Sequence, residues 1–295
     1  MKIFITGGSG LLGQYLNISL SKNHDILTQY NEHIGNCNQF NSVKLSITDY
    51  KKLQDVLLQF KPDVVIHAAA VSNAEKAEKY PASYVYEVNV NAAKKIAEIC
   101  DSIKSKLIYI STDLVYAGYR GSLLKEDSKL IPISLYAETK LMGEVKIQET
   151  FDNYIILRQA LLIGFGLNHS RNFFHFMYEN LKLNKPIKLF TNQYRSPLEL
   201  NDASRMIAEL VEKEIKSEII NFGGAERLSR YDLGLLLCEE AGFDKNLLVP
   251  VTMEEENYSY IVHDVSLNIE KLLSLGIEPE NLRKAIRELI KNNFK

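Results

Sequence analysis

The chain opens on a short apolar run, Lys2–Thr6, after which Leu11, Leu12, Tyr15, Leu16 and Leu20 recur at helical spacing. The run has the profile of a buried parallel strand, and the spaced leucines that of a helix with one apolar face. The pattern repeats. Short strand-like runs at 25–29, 43–45, 63–67, 106–110 and 154–157 alternate with helical patterns over 48–60, 81–100 and 132–150. Thr48 reads as the cap of the second helix, and Lys61-Pro62-Asp63 as its break. This βαβ alternation predicts an α/β chain: a Rossmann-like doubly wound parallel sheet over residues 1–160. Beyond it the alternation weakens. Helical patterns at 172–183, 202–213, 230–241, 266–275 and 281–292, with short strands between, predict a smaller C-terminal α/β lobe over 161–295. No low-complexity linker separates the halves, so the chain is expected to interleave at the boundary and to hold a ligand in the cleft between them.

Between the first strand and the first helix lie four glycines in seven residues, Gly7-Gly8-Ser9-Gly10-Leu11-Leu12-Gly13. Glycine takes positive φ and lets backbone approach a ligand, and a helix starting there aims its free N–H groups at it. A turn of this kind, directly after the first strand, suits the pyrophosphate of a dinucleotide. Selectivity for NAD usually comes from an acid at the end of the second strand. Here that stretch is Thr28-Gln29-Tyr30-Asn31-Glu32-His33, with Tyr30 at the acid's place. The missing acid, with Asn31 and His33 able to contact a 2′-phosphate, favours NADP over NAD.

Two further stretches carry candidate chemistry. Tyr136 and Lys140 are four residues apart, hence on one helix face, where an ammonium would favour phenolate and lower the tyrosine pKa. Ser111 and Thr112 end the fifth strand, on the side of the sheet where ligands bind, and a Thr112 hydroxyl there could hold a substrate oxygen. Composition narrows the rest. A net charge of −2 over 295 residues leaves no basic footprint for nucleic acid. Cys37, Cys100 and Cys238 have no paired spacing and read as reduced thiols of a cytoplasmic protein. The six histidines show no metal spacing, and no apolar run approaches a membrane span.

Five ordered motifs together resemble the extended short-chain dehydrogenase/reductases, in particular the dTDP-4-dehydrorhamnose reductase branch. They are Thr6 to Gly13, His67-Ala68-Ala69-Ala70, Val88-Asn89, Ser111 to Gly118 and Tyr136-Ala137-Glu138-Thr139-Lys140-Leu141-Met142-Gly143-Glu144. The resemblance covers about the first 165 residues well and the remainder loosely. It implies an NAD(P)H-dependent reductase of a nucleotide-linked 4-keto-deoxysugar, acting as a homodimer. Tyr136 would be the general acid/base, Lys140 the group that binds the nicotinamide ribose and tunes Tyr136, and Thr112 the hydroxyl that completes the triad. Gly7, Ser9, Gly10, Leu11 and Leu12 would surround the pyrophosphate. Ala68, Ala69, Ala70 and Asn89 would line the cofactor, with Tyr30 and Asn31 at its adenosine ribose. Arg195, in Gln193-Tyr194-Arg195-Ser196-Pro197, is placed to clamp a substrate phosphate or carboxylate.

The sequence also departs from the branch. An Arg-Pro pair usually precedes the segment that here reads Asp264-Val265-Ser266-Leu267, and this chain has Ile261-Val262-His263 instead. Two alternatives therefore stand beside the reductase. One is a nucleotide-sugar epimerase or dehydratase with the same triad, although Leu114 beside Asp113 is not the second carboxylate a dehydratase would use. The other is a non-catalytic NADP-binding subunit resembling the β subunit of methionine adenosyltransferase.

Overall fold

Seven parallel strands form the centre of the computed structural model, which describes residues 1–72, 74–119 and 121–293. In chain order the first six are β1 (Lys2–Thr6), β2 (Asp25–Tyr30), β3 (Ser42–Lys44), β4 (Val64–His67), β5 (Lys106–Ile110) and β6 (Tyr154–Gln159). Their spatial order is 3-2-1-4-5-6, and the strand Glu218–Phe222 adds itself beside β6. Chain direction along the sheet reverses between β1 and β4, so the carboxyl ends of those two strands open a crevice.

Side chains alternate across this sheet as the pleat demands. Ile3, Ile5, Ile66 and Ile108 face one core, which α1 (Leu11–Leu20) and the Leu200–Val211 helix cover with Leu12, Leu16, Leu200 and Met206. Phe4, Val65, Leu107 and Ile156 face the other, under α2 (Tyr50–Phe60) and the helices Ala92–Ile103 and Leu135–Thr150. Burial on both faces explains why the strands read as continuous apolar runs.

Leu200–Val211 and Glu218–Phe222 return to the large sheet, while a separate core joins the helices Phe173–Lys182, Arg230–Ala241 and Leu282–Asn293 to the parallel pair Ile187–Phe190 and Leu248–Val251.

Several predicted boundaries move. Asp49, not Thr48, caps α2 by accepting from the Lys52 N–H at 3.3 Å, because the Thr48 hydroxyl is engaged with Ser46 at 2.8 Å. The helix predicted over 81–100 runs from Ala82 to Ile103 with a wider, π-type turn at Glu87–Asn91. In that turn Asn89 faces inward, and its carboxamide accepts from the Val71 N–H at 2.9 Å and donates to Thr139 at 3.0 Å. Only Glu270–Ser274 of 266–275 is helical, since Ser266 is held extended by Asp264 and by the Leu123 and Leu124 N–H groups. Among the described residues no helix is long and apolar enough to cross a membrane, and the three cysteines are buried and free.

A buried polar network ties the halves together. Glu144, with no exposed surface, forms an ion pair with Arg158, whose Nη2 lies 2.8 Å from Oε2. Glu144 also accepts the Ser111 hydroxyl at the end of β5. Arg158 Nη1 donates to the Tyr116 hydroxyl at 3.0 Å and to the Glu126 carbonyl at 2.8 Å. Tyr116 in turn donates to Asn221, which donates to the carbonyls of Leu124 and Asn268. Every charge here has a partner, which is the condition under which a buried pair is tolerated. Glu144→Gln should therefore destabilise the chain by about 3–5 kcal/mol by leaving Arg158 uncompensated. Urea unfolding of the variant against the parent measures this, and a loss below about 1 kcal/mol would show the pair to be dispensable.

Candidate active site

A cleft of about 640 Å³ lies beyond the carboxyl ends of β1, β2, β4 and β5. The glycine turn forms its floor. Gly7 has φ +68°, and its N–H donates to Gln29 Oε1 at 2.9 Å while the Gly8 N–H donates to the Gln29 carbonyl at 2.8 Å. A Cβ on Gly7 would stand 2.7 Å from the Ala69 nitrogen, and one on Gly13 would stand 2.1 Å from the Gly7 oxygen. The turn therefore needs glycine at both positions to bring α1 against β1 and β4. Gly10 caps α1 with no side-chain hydrogen bond, and Leu11 and Leu12 open the helix along the cleft. An uncapped helix end of this kind attracts an anion.

Ser9, Ala68, Ala69, Ala70, Asn31, Glu32 and His33 line the same cleft. Ala69 is held by its N–H on the Thr6 hydroxyl at 3.2 Å, and Thr6 is hydrogen-bonded to His67 Nδ1 at 2.7 Å. Burial, then the charge of Lys140, drives His67 down to about 3, so that imidazole stays neutral. Tyr30 and Asn89 do not line the cleft. Tyr30 is half-buried in β2 opposite Lys44, and the Asn89 carboxamide is spent on Val71 and Thr139. Their sequence neighbours Asn31 and Val88 line it instead.

Of the three groups singled out for chemistry, Tyr136 and Lys140 line the cleft and Thr112 adjoins Tyr136 without lining it. Ser134 caps the Leu135–Thr150 helix by accepting from the Ala137 N–H at 3.2 Å, which sets Tyr136 and Lys140 one turn apart along the cleft. Thr112 accepts from the Leu114 N–H at 3.3 Å at the end of β5, and its hydroxyl is hydrogen-bonded to the Tyr136 phenol. Ser111 lines the cleft too, with its hydroxyl committed to Glu144.

The electrostatics differ from the expectation of an acidified tyrosine. Burial pushes the Tyr136 phenol up to about 12, against the lowering effect of Thr112 and with a further rise from Asp113. Burial likewise pushes Lys140 down to about 7, Glu144 opposing, with the ammonium 3.9 Å from the centre of the Tyr109 ring. Desolvation is the largest cause for both groups, Lys140 being buried and Tyr136 half-buried in the cleft wall.

Arg195 is 6% exposed, with Nε 3.6 Å from Asp113 Oδ2. Burial raises Asp113, and Arg195 is the first group to oppose it. A second guanidinium is one that sequence reasoning missed. Arg230, at the start of its helix, donates to Gln193 Oε1 at 2.9 Å and covers the Phe173 ring at 4.3 Å, and burial with the charge of Arg195 pushes it down to about 9. The strand pairing of Leu228 with Arg195 brings it there, a register that spacing alone does not reveal. The segment Ile261-Val262-His263 supplies no such group: a Cβ on Gly118 would stand 2.4 Å from Val262 Cγ1, and His263 is paired with Glu254 at 2.8 Å. Among the described residues no cluster of three His, Cys, Asp or Glu could hold a metal.

Known proteins resemble the chain in sequence and in fold. The chain is 25% identical over 302 residues to dTDP-4-dehydrorhamnose reductase of Aggregatibacter actinomycetemcomitans, covering 98% of each protein. It is also 25% identical over 299 residues to methionine adenosyltransferase 2 subunit beta of Xenopus laevis, covering 98% of this chain and 87% of that one. In structure it resembles dTDP-4-dehydrorhamnose reductase from Bacillus anthracis str. Ames in complex with NADP, with a TM-score of 0.86, 24% identity and 99% of both chains covered. At that identity the likeness is one of fold. The model of the RmlD substrate binding domain matches residues 1–294, and the chain belongs to that family.

Proposed function

We propose that this protein is an NAD(P)H-dependent reductase of a nucleotide-linked 4-keto-deoxysugar. The observation that carries the reading is the pair Tyr136 and Lys140, with Thr112 against Tyr136, in one cleft with an uncapped, glycine-built helix end. That helix end, with Gly7, Ser9, Gly10, Leu11 and Leu12, fits a dinucleotide pyrophosphate, and Ala68 to Ala70 fit the face of its rings. When bound, a reduced nicotinamide would supply hydride.

The chain's own residues would handle the proton. A phenol pushed up to about 12 is fully protonated at neutral pH, so Tyr136 is a proton donor at rest and not a base. The Thr112 hydroxyl, already bonded to that phenol, would hold the same substrate oxygen and fix the path of transfer. Lys140, poised near neutrality at about 7, would meet the nicotinamide ribose hydroxyls and replenish the proton. Arg195 would orient an anionic group of the substrate, with Asp113 limiting its charge.

The methionine adenosyltransferase subunit named among the relatives supports a second reading, a dinucleotide-binding regulatory subunit. Retention of all three catalytic groups favours the enzyme. Failure to oxidise NADPH with any nucleotide-linked 4-keto sugar, together with co-purification of an adenosyltransferase, would decide for the subunit.

Two tests address the mechanism. Tyr136→Phe should lower the rate of NADPH oxidation with dTDP-4-keto-6-deoxysugar by about 10²–10⁴-fold while dinucleotide affinity is unchanged; wild-type turnover by the variant would exclude Tyr136 as the acid. Lys140 offers a stability test. Its folded pKa lies below that of an unfolded lysine, about 10.4, so over that window the unfolded chain binds the extra proton and stability rises with pH. Lys140→Met should accordingly be the more stable protein near pH 7, the gap closing toward about pH 10. A pH-independent gap in urea midpoints would mean that Lys140 bears no desolvation cost.

A further inference from the structure

The Lys140 ammonium lies 3.9 Å from the centre of the Tyr109 ring, and both side chains are buried. A cation over an aromatic face is attracted by the ring's quadrupole, most strongly where water is excluded. Tyr109 stands in β5, three residues before Thr112. The strand that leads to Thr112 therefore also carries the ring against Lys140.

That ring is fixed by its neighbours. The parallel registers set Thr6 beside His67 and His67 beside Tyr109, so the three side chains form a row across one face of β1, β4 and β5. All three are fully buried. The His67 ring lies 5.5 Å from that of Tyr109, tilted by 38°, and its Nδ1 is hydrogen-bonded to the Thr6 hydroxyl at 2.7 Å. Over the row the Leu135–Thr150 helix comes close because residue 143 is glycine: a Cβ there would stand 2.4 Å from the Tyr109 hydroxyl oxygen. That oxygen lies 3.5 Å from the carbonyl oxygens of both Lys140 and Asn89. Tyr109 thus meets Lys140 twice, at its backbone through the hydroxyl and at its ammonium through the ring.

We infer that Tyr109 is a positioning residue for Lys140, its ring holding the ammonium at the cleft wall one helical turn from Tyr136 while His67 and Thr6 keep the ring from turning. Its bearing on the reaction rests on the reductase reading; the placement of the ammonium does not. The titratable groups around Lys140 are Tyr136 and Glu144 on its own helix, Tyr109 from β5 and His67 from β4. Glu144 is paired with Arg158 and His67 is neutral, so neither takes the ammonium away from the cleft. A ring attracts the charged form without accepting its proton in a conventional hydrogen bond, which leaves the N–H donors of the ammonium for ribose hydroxyls.

The test follows the titration of Lys140 in the full chain without dinucleotide, by NMR with isotope-labelled lysine from about pH 5 to about pH 10, the signal being assigned by its loss in Lys140→Met. In the parent the methylene protons beside the ammonium should be displaced upfield by the ring, and protons at the position of solvent-exposed lysines would overturn the inference with no variant needed. Tyr109→Leu removes the ring and should move the titration down by about one pH unit. Tyr109→Phe keeps the ring and should leave the titration in place. With a nucleotide-linked 4-keto sugar, the alkaline fall in the rate of NADPH oxidation should move down in Tyr109→Leu and stay in Tyr109→Phe, a contrast that a merely structural role would not produce. A titration unmoved or raised in Tyr109→Leu, or lowered equally in Tyr109→Phe, would overturn the placement. Failure of the parent to oxidise NADPH with any such sugar would remove the reductase reading alone, with the titration still deciding where the ammonium is held.

Discussion

The ion pair of Glu144 with Arg158 is the constraint on which the candidate site depends. Two opposite charges with almost no exposed surface cannot be left half-satisfied, so every group around them is fixed in place. Glu144 sits one turn beyond Lys140 on the same helix and holds Ser111, the residue before Thr112. The strand end that carries Thr112 and the helix that carries Tyr136 are thereby fastened to each other from below. On its other side Arg158 reaches the 116–126 loop and, through Tyr116 and Asn221, the added seventh strand. The geometry of the candidate site is thus set by a polar network deeper in the protein than the site itself.

Desolvation then sets the character of the groups. Tyr136 and Lys140 move in opposite directions for the same reason, since burial disfavours phenolate and ammonium alike. The result is a phenol that keeps its proton and an amine near its titration point. His67, pressed against Thr6 and kept neutral, adds a dipole and no charge to the floor of the cleft.

Much of this was legible in the sequence where the physics is local. The runs that became β1, β4 and β5, the glycine turn and the Tyr136–Lys140 spacing each depend on residues within a few positions of one another. Legibility failed where distant partners decide. Thr48 and Asp49 are equally good caps on paper, and the contact of Thr48 with Ser46 selects Asp49. Asn89 stands in a family motif, yet a π-type turn directs it to Val71 and Thr139. Arg158 lies just past the predicted run 154–157 and Glu144 one helical turn beyond Lys140, and nothing local says that they meet. Arg230 lies 35 positions from Arg195 and joins it only through strand pairing.

The contacts of α1 bear on how this architecture can be divided. Beside Gln14, whose amide donates to the Leu167 carbonyl and the Ser170 hydroxyl at 3.0 Å each, the Tyr15 hydroxyl donates to the Phe165 carbonyl at 2.6 Å, so the helix that faces the cleft also anchors the first residues of the lobe. Apart from the Ser170 hydroxyl, those acceptors are backbone carbonyls, indifferent to side-chain identity but not to chain path. A lobe exchanged for another at residue 160 would have to reproduce the path of residues 165–170 to satisfy the buried amide of Gln14, each lost bond costing about 1–3 kcal/mol. A lobe on this sheet can therefore vary in sequence more freely than its entry segment can vary in shape, which makes that segment the joint at which the fold accepts or rejects a different lobe.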